Sequence, residues 1–159
     1  MSEPTPSRPT SGYGLDAQTE PPGAVLPWDT VAVWLRDARN YWLCTARSDG
    51  RVHVKPVWAL WMDGAVVFST SPESVSGRHL RADPRATMHI EGERVAIVEG
   101  SVEWLAEAPP GFVERYEDKY YWRMDPDDPD TPLLALRARV VLGWDEADLG
   151  GTMTRWTFA

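Results

Sequence analysis

Residues 41–70 read YWLCTARSDGRVHVKPVWALWMDGAVVFST, and this stretch decides the fold. Residues 41–47 and 51–61 both read as strands, and in the second the alternation of Arg51, His53 and Lys55 with Val52 and Val54 has the period of two that belongs to strands. Ser48-Asp49-Gly50 and Asp63-Gly64 interrupt the runs, and Asp-Gly pairs supply the positive φ that tight hairpin turns need. A third run, 65–70, follows the second turn. Three strands joined by two hairpins make an antiparallel meander, which argues against a parallel dinucleotide-binding sheet.

Outward from the meander the pattern extends to both ends. On the N-terminal side, Val31, Val33, Trp34 and Leu35 after Asp29 predict an amphipathic helix to about Arg39, with Asp29 as its N-cap. On the C-terminal side, 71–82 reads as a helix with Ser71 as N-cap, Pro72 at the first position and Glu73 at the positive end of the dipole. Asp83-Pro84 ends it. Strand signals resume at 86–91 and 94–104, a helix follows Pro109-Pro110 over 111–121, and 125–132 is an acidic loop. Two last strands occupy 133–144 and 154–158. The expected fold is mainly β with two or three short helices: a small antiparallel β-barrel. Residues 1–25 carry five prolines and few apolar side chains, so they read as a flexible tail to a single domain over 26–159.

The 159 residues suit one domain plus such a tail. Acidic residues number 24 against 16 basic ones, a formal charge of −8 that argues against nucleic acid or anionic membranes as the partner. No run approaches the ~20 apolar residues of a membrane span, and the first residues have no signal-peptide pattern, so a cytoplasmic protein is expected. The single cysteine, Cys44, excludes an internal disulfide and a thiolate metal cluster. Nine tryptophans outnumber the five tyrosines and three phenylalanines together, a bias found in interfaces and flat ligand pockets. Only Lys55 and Lys119 are lysines.

Two constellations can carry chemistry. Alternation places Arg51, His53, Lys55 and Val57 on one face of the second strand and Val52, Val54, Pro56 and Trp58 on the other. Three successive cationic or titratable groups on a face suit an anion, and a plain solvent face would look the same. Pro56 removes a ladder donor, which points to an edge or a bulge. The second constellation is Ser69-Thr70-Ser71 at the start of the following helix, with Ser74 and Arg78 on the same helical face. Hydroxyls, unpaired helix N–H groups and an arginine together suit a phosphate. Cys44 reads as an inert buried thiol. His53, His79 and His89 lack metal-ligand spacing, and the Asp125–Asp130 run lacks the glycine and terminal glutamate of a calcium loop, so no metal is expected.

These pieces in this order resemble a known family. The hairpin L-x-T-x-R-x-D-G-R-x-H, the turn-helix F-x-T through Arg78 and Leu80, the run Asp83-Pro84-Arg85 to His89, and the strand Val98-Glu99-Gly100 are similar to the pyridoxamine 5′-phosphate oxidase-like split β-barrel proteins, which include F420-dependent oxidoreductases. The resemblance covers about residues 28–158. It implies a homodimer holding F420 or FMN at the subunit interface, with His53, Val54, Lys55, Pro56, Val57 and Trp58 along the cofactor ring. Ser69, Thr70, Ser74, Arg78 and His79 would lie at the phosphate. The helix departs from the Lys-then-Asn pattern common in relatives, and the substrate residues of true pyridoxamine phosphate oxidases are not recognisable. The expected activity is hydride transfer between the cofactor, F420 ahead of FMN, and a small organic substrate. A non-catalytic flavin, F420 or haem carrier is the alternative.

Overall fold

In the computed structural model, which describes residues 3–9 and 25–159, the chain opens with a short strand β1 (Thr5–Ser7) and a helix α1 (Trp28–Asp37). Strands β2 (Tyr41–Ala46) and β3 (Val52–Val57) form one hairpin and β4 (Ala59–Met62) and β5 (Ala65–Ser69) another; β3 and β4 do not pair, so the expected meander is two separate hairpins. Helix α2 (Val75–Ala82) leads to β6 (Arg85–Ile90) and β7 (Arg94–Trp104), and α3 (Phe112–Tyr120) to β8 (Leu133–Asp145). A one-turn helix α4 (Leu149–Thr152) precedes β9 (Thr154–Thr157). Both predicted hairpin turns are present, and Asp63 and Gly64 take the positive φ values of 47° and 75° that the Asp-Gly pair forecasts.

The nine strands of the described residues belong to one antiparallel sheet, ordered β1-β9-β8-β7-β6-β2-β3, with β5 also pairing β8 and β4 pairing β5. The long strand β8 makes this possible. Its first residues pair with β5 and its last with β9, while β7 runs along its other side throughout. Opposite Glu99 and Gly100 of β7 the register shifts by one, Arg139 being the extra residue that bulges and bends β8, and a Cβ on Gly100 would stand 1.8 Å from the Arg137 carbonyl oxygen, so the two backbones touch there. One core lies inside the sheet around Val31, Leu35, Leu43, Phe68, Met88 and Trp156. A second lies under α3, where Phe112, Tyr116 and Tyr120 cover Leu60, Met62 and Val67.

Four expectations need correction. The second strand is not continuous over 51–61: it breaks at Trp58, because β3 pairs with β2 whereas β4 pairs with β5. The predicted helix over 71–82 starts later, at Val75, since Ser71–Ser74 is a turn closed by Ser74 N–H on the Ser71 carbonyl. Ser74, not Ser71, is therefore the N-cap. Helix α1 starts at Trp28 with Pro27 at its cap, and Asp29 falls in the first turn. Within the predicted tail, Thr5–Ser7 pair with Thr157–Arg155 of β9, Pro4 is buried, and Arg8 donates to the Gly150 carbonyl at 2.6 Å. The rest of that segment, residues 1–2 and 10–24, lies outside the described residues.

Candidate functional site

Alternation along β3 is as the sequence reads it, with one inversion of expectation: the apolar row faces out. Val52, Val54 and Pro56 are exposed, His53 and Lys55 are half-buried, and Val57 is buried. Strand β3 forms the sheet edge, which explains how Pro56 is tolerated there. The basic face is the covered one.

That inward face brings Lys55 to the turn before α2. Lys55 Nζ donates to Thr70 Oγ1 at 2.8 Å, and Thr70 Oγ1 lies 3.1 Å from Ser74 Oγ. Ser74 Oγ donates to the Ser71 carbonyl at 2.7 Å. A hydroxyl has one hydrogen, so with it committed there Ser74 accepts from Thr70, and the donors run in one direction from Lys55 to the Ser71 carbonyl. Ser74 Oγ also accepts from Gly77 N at 3.0 Å as the cap of α2. Burial holds the Lys55 amine below the usual lysine value.

The cluster has unused binding capacity. Among the described residues Lys55 spends one of its three donors, and nothing accepts from the backbone N–H of Val75 or Ser76. Ser76 Oγ is buried without a partner in the first turn of α2. A cation and the free Val75 N–H at the positive end of a helix make a fitting cradle for a phosphate or carboxylate, whereas Ser76 is fully buried behind them. Gly77 permits this turn to fold onto the helix: a Cβ there would stand 2.2 Å from Ser71 O and 2.7 Å from Pro72 O. Sequence reasoning passed over Gly77, although a glycine inside a predicted helix is a signal of close approach.

The remaining predicted residues divide. Ser69 Oγ donates to the Thr131 carbonyl at 2.7 Å, tying the acidic loop to β5. Arg78 is exposed and donates to the Glu73 carbonyl; with Arg47, Ser48 and His79 it lines a separate cleft of about 330 Å³. His79 Nδ1 lies 3.1 Å from Thr45 Oγ1, and its ring meets His53 edge-on at 6.1 Å. Partial burial, then the charges of His53, Arg47 and Arg78, keep its imidazole below the usual histidine value. The structure thus joins Lys55, Thr70 and Ser74 and sets Arg78 and His79 in a second cleft.

Trp58 stands at the β3–β4 corner, stacked on Tyr120 with ring centroids 4.7 Å apart and planes 9° apart. Tyr120 Oη accepts from Ala59 N at 2.9 Å and lies 2.8 Å from the carbonyl oxygens of Ala59 and Arg39. Lys119 Nζ donates to the carbonyls of Arg36 at 2.9 Å and Ala59 at 3.1 Å. Helix α3 therefore clamps this corner to α1. Sequence reasoning missed both residues; the rarity of lysine was the one available signal. A cleft of about 400 Å³, lined by Lys55, Trp58, Ser69 and Tyr116 among others, opens beside the corner. A larger concavity, about 820 Å³, lies elsewhere, on the sheet face bearing Cys44, Thr87 and Glu99, and holds none of the predicted site residues.

The clamp carries a pH signature. Burial lowers Lys119 to about 8, whereas an unfolded lysine titrates near 10.5. Between those values the unfolded chain holds a proton that the folded chain has released, so this group's contribution to stability rises with pH. Burial acts oppositely on the phenols, raising Tyr41 and pushing Tyr120 up to about 12, so stability falls again once unfolded tyrosines ionise near 10. Melting temperatures of the parent and of Lys119→Met, compared from pH 7.5 to 10, isolate the lysine. The difference should move steadily in the parent's favour as pH rises; a constant difference would show that Lys119 titrates normally.

A family model described as pyridoxamine 5′-phosphate oxidase matches residues 28–145. Among solved structures the chain is similar to a conserved hypothetical protein from Mycobacterium tuberculosis, at 20% identity and a TM-score of 0.65, over 84% of this chain and 93% of that one. It is similar to an F420 reductase at 24% identity and a TM-score of 0.56, over 67% of this chain and 91% of the other. It is also similar to a haem-binding protein from Mycobacterium smegmatis, at 18% identity and a TM-score of 0.58, over 81% and 62% of the two chains. At these identities the likeness is one of fold, the antiparallel split barrel. Comparison with curated proteins gives no match.

Proposed function

Because the chain belongs to the pyridoxamine 5′-phosphate oxidase family, we propose that it is an oxidoreductase that binds F420 or FMN, F420 ahead of FMN, and serves hydride transfer to or from a small organic substrate. The observation that carries this reading is the chain of donors from Lys55 through Thr70 to Ser74 at the start of α2, with the free Val75 N–H beside it. Lys55, Thr70, Ser74 and the Val75 amide would hold the cofactor phosphate, with His53 to Val57 along the adjoining edge strand. Likeness to an F420 reductase supports F420. The bound cofactor would supply the redox chemistry; the residues here supply its position, an anchoring charge and partial exclusion of water.

A visible spectrum of the purified protein, followed by titration with F420 and FMN, tests the reading. One violet band or two yellow bands is the expected result. A Soret band with no flavin or deazaflavin binding would overturn it in favour of a haem carrier. Turnover of the reduced cofactor with small acceptors then separates enzyme from carrier. Among the described residues no helix is long and apolar enough to cross a membrane.

We also propose that the protein is a homodimer. Val52 and Val54 are 67% and 48% exposed on an edge strand, and Val54 pairs with Cys44 on the sheet face that holds the 820 Å³ concavity. Exposed apolar surface of this extent on one face favours burial against a second copy. Light scattering at micromolar concentration should give twice the chain mass, and Val54→Asp should shift it toward the monomer. A monomeric parent would refute the assembly.

A further inference from the structure

We propose that the Trp58 indole is a stacking platform for a planar, negatively charged aromatic substrate, held ready by Tyr120 and Arg39. The word substrate rests on the redox reading above; the platform itself does not. Tyr120 covers the indole in a near-parallel stack, 4.7 Å between centroids, and the Trp58 residue remains 39% exposed. The Arg39 guanidinium lies 5.7 Å from the Trp58 centroid and 5.8 Å from that of Tyr120, so it borders both rings. The Tyr120 hydroxyl accepts from the Ala59 N–H and lies 2.8 Å from the Ala59 carbonyl oxygen, which fixes the corner carrying the indole. An aromatic side chain ordered in advance loses little entropy when a flat ring settles on it.

The surroundings define the ligand. The cleft beside Trp58 has about 400 Å³, room for a ligand of one or two fused rings. Its lining includes Lys55, whose amine spends one of three donors on Thr70, and Asn40, and among the described residues no acidic side chain, on a chain whose net charge is −8. A parallel stack favours sp² rings over saturated ones, because a puckered ring cannot lie flat on an indole. An aromatic carboxylate or a compound of like shape and charge meets both conditions.

The test uses the full-length chain. 2-Naphthoate and the saturated decalin-2-carboxylate are titrated into the parent, Trp58→Phe, Trp58→Leu and Tyr120→Leu, with thermal melting and an F420 and FMN titration on each. The parent should prefer naphthoate by about three- to tenfold. Trp58→Phe should keep part of that preference and Trp58→Leu should abolish it, while cofactor affinity changes less than the naphthoate affinity. Tyr120→Leu, which removes the backing ring, should weaken naphthoate too. A parent without preference for the flat acid, or a folded Trp58→Leu that retains the preference, overturns the proposal. So does parallel loss of cofactor and naphthoate in Trp58→Leu, which would make the indole part of the cofactor cradle. If no cofactor binds the parent but the Trp58-dependent preference persists, the platform stands and the redox reading falls. Should Trp58→Leu fail to fold, Trp58→Phe decides: an undiminished preference there also overturns the proposal.

Discussion

Lys55→Met is expected to lower affinity for F420 and FMN by about ten- to a hundredfold, the loss of one charge-assisted contact worth roughly 1.5–3 kcal/mol. Lys55 is the cation that reaches the hydroxyls before α2, at 2.8 Å from Thr70 Oγ1, and it has donors to spare for a phosphate. Methionine keeps the length and most of the stem, so packing against β2 and α2 should survive. The melting temperature should change little, because removing an amine whose charge is opposed by burial recovers part of what the lost hydrogen bond contributed. Arginine should restore part of the affinity, since it keeps the charge but presents a wider fork. From sequence alone the same loss attaches to Arg78. In the structure Arg78 is exposed and donates to the Glu73 carbonyl, so Arg78→Ala should cost less than Lys55→Met. Cofactor titrations of the two variants decide the matter, and the reverse order would move the phosphate into the cleft of Arg47, Arg78 and His79.

Gly77→Ala should damage the same cradle through the backbone. In a helix, alanine is normally better than glycine by about 1 kcal/mol. Here the added methyl would stand 2.2 Å from Ser71 O and 2.7 Å from Pro72 O, and backbone carbonyls cannot swing aside as a flexible side chain would. The turn must retreat, and with it go the Thr70–Ser74 contact and the Ser74 cap. Overpacking of this kind costs about 1–3 kcal/mol, which outweighs the propensity gain. The expected result is a fall in melting temperature of roughly 2–8 °C together with a loss of cofactor affinity of at least about tenfold. Gly77→Ala with parental melting and parental affinity would show that the turn has slack and does not form the site.

The two predictions show where sequence reading reaches and where it stops. The hairpins at 48–50 and 63–64 were legible because Asp-Gly encodes a backbone conformation that few other pairs adopt. The strand period was legible for the same local reason. Which face of β3 would be covered was not, because it depends on where β3 falls in the sheet order and on the turn before α2 meeting Lys55, both long-range outcomes. The break at Trp58 escaped notice since two strands that run into each other leave no turn residue between them. Ser71 and Ser74 are both good caps, and only the fold of 71–74 onto Gly77 chooses the second. The hydroxyls Thr70 and Ser74 were found from the sequence; that Lys55, fifteen residues earlier, is their cation could come only from the tertiary pairing.

The scarcity of lysine gives this molecule an unusual chemical economy. Its two ε-amines, Lys55 and Lys119, are both half-buried and both held below the usual lysine value, one at the proposed phosphate cradle and one in the clamp under Trp58. A depressed amine is a better nucleophile near neutral pH, so acylating reagents have two lysine side chains to distinguish and each reports on a different part of the molecule. Mass-resolved acetylation becomes a two-channel recorder: ligand at the cradle should silence the Lys55 channel, and loosening of α3 should brighten the Lys119 channel. Immobilisation through lysine carries the reverse lesson, since any surface linked that way is attached at the clamp or across the cradle.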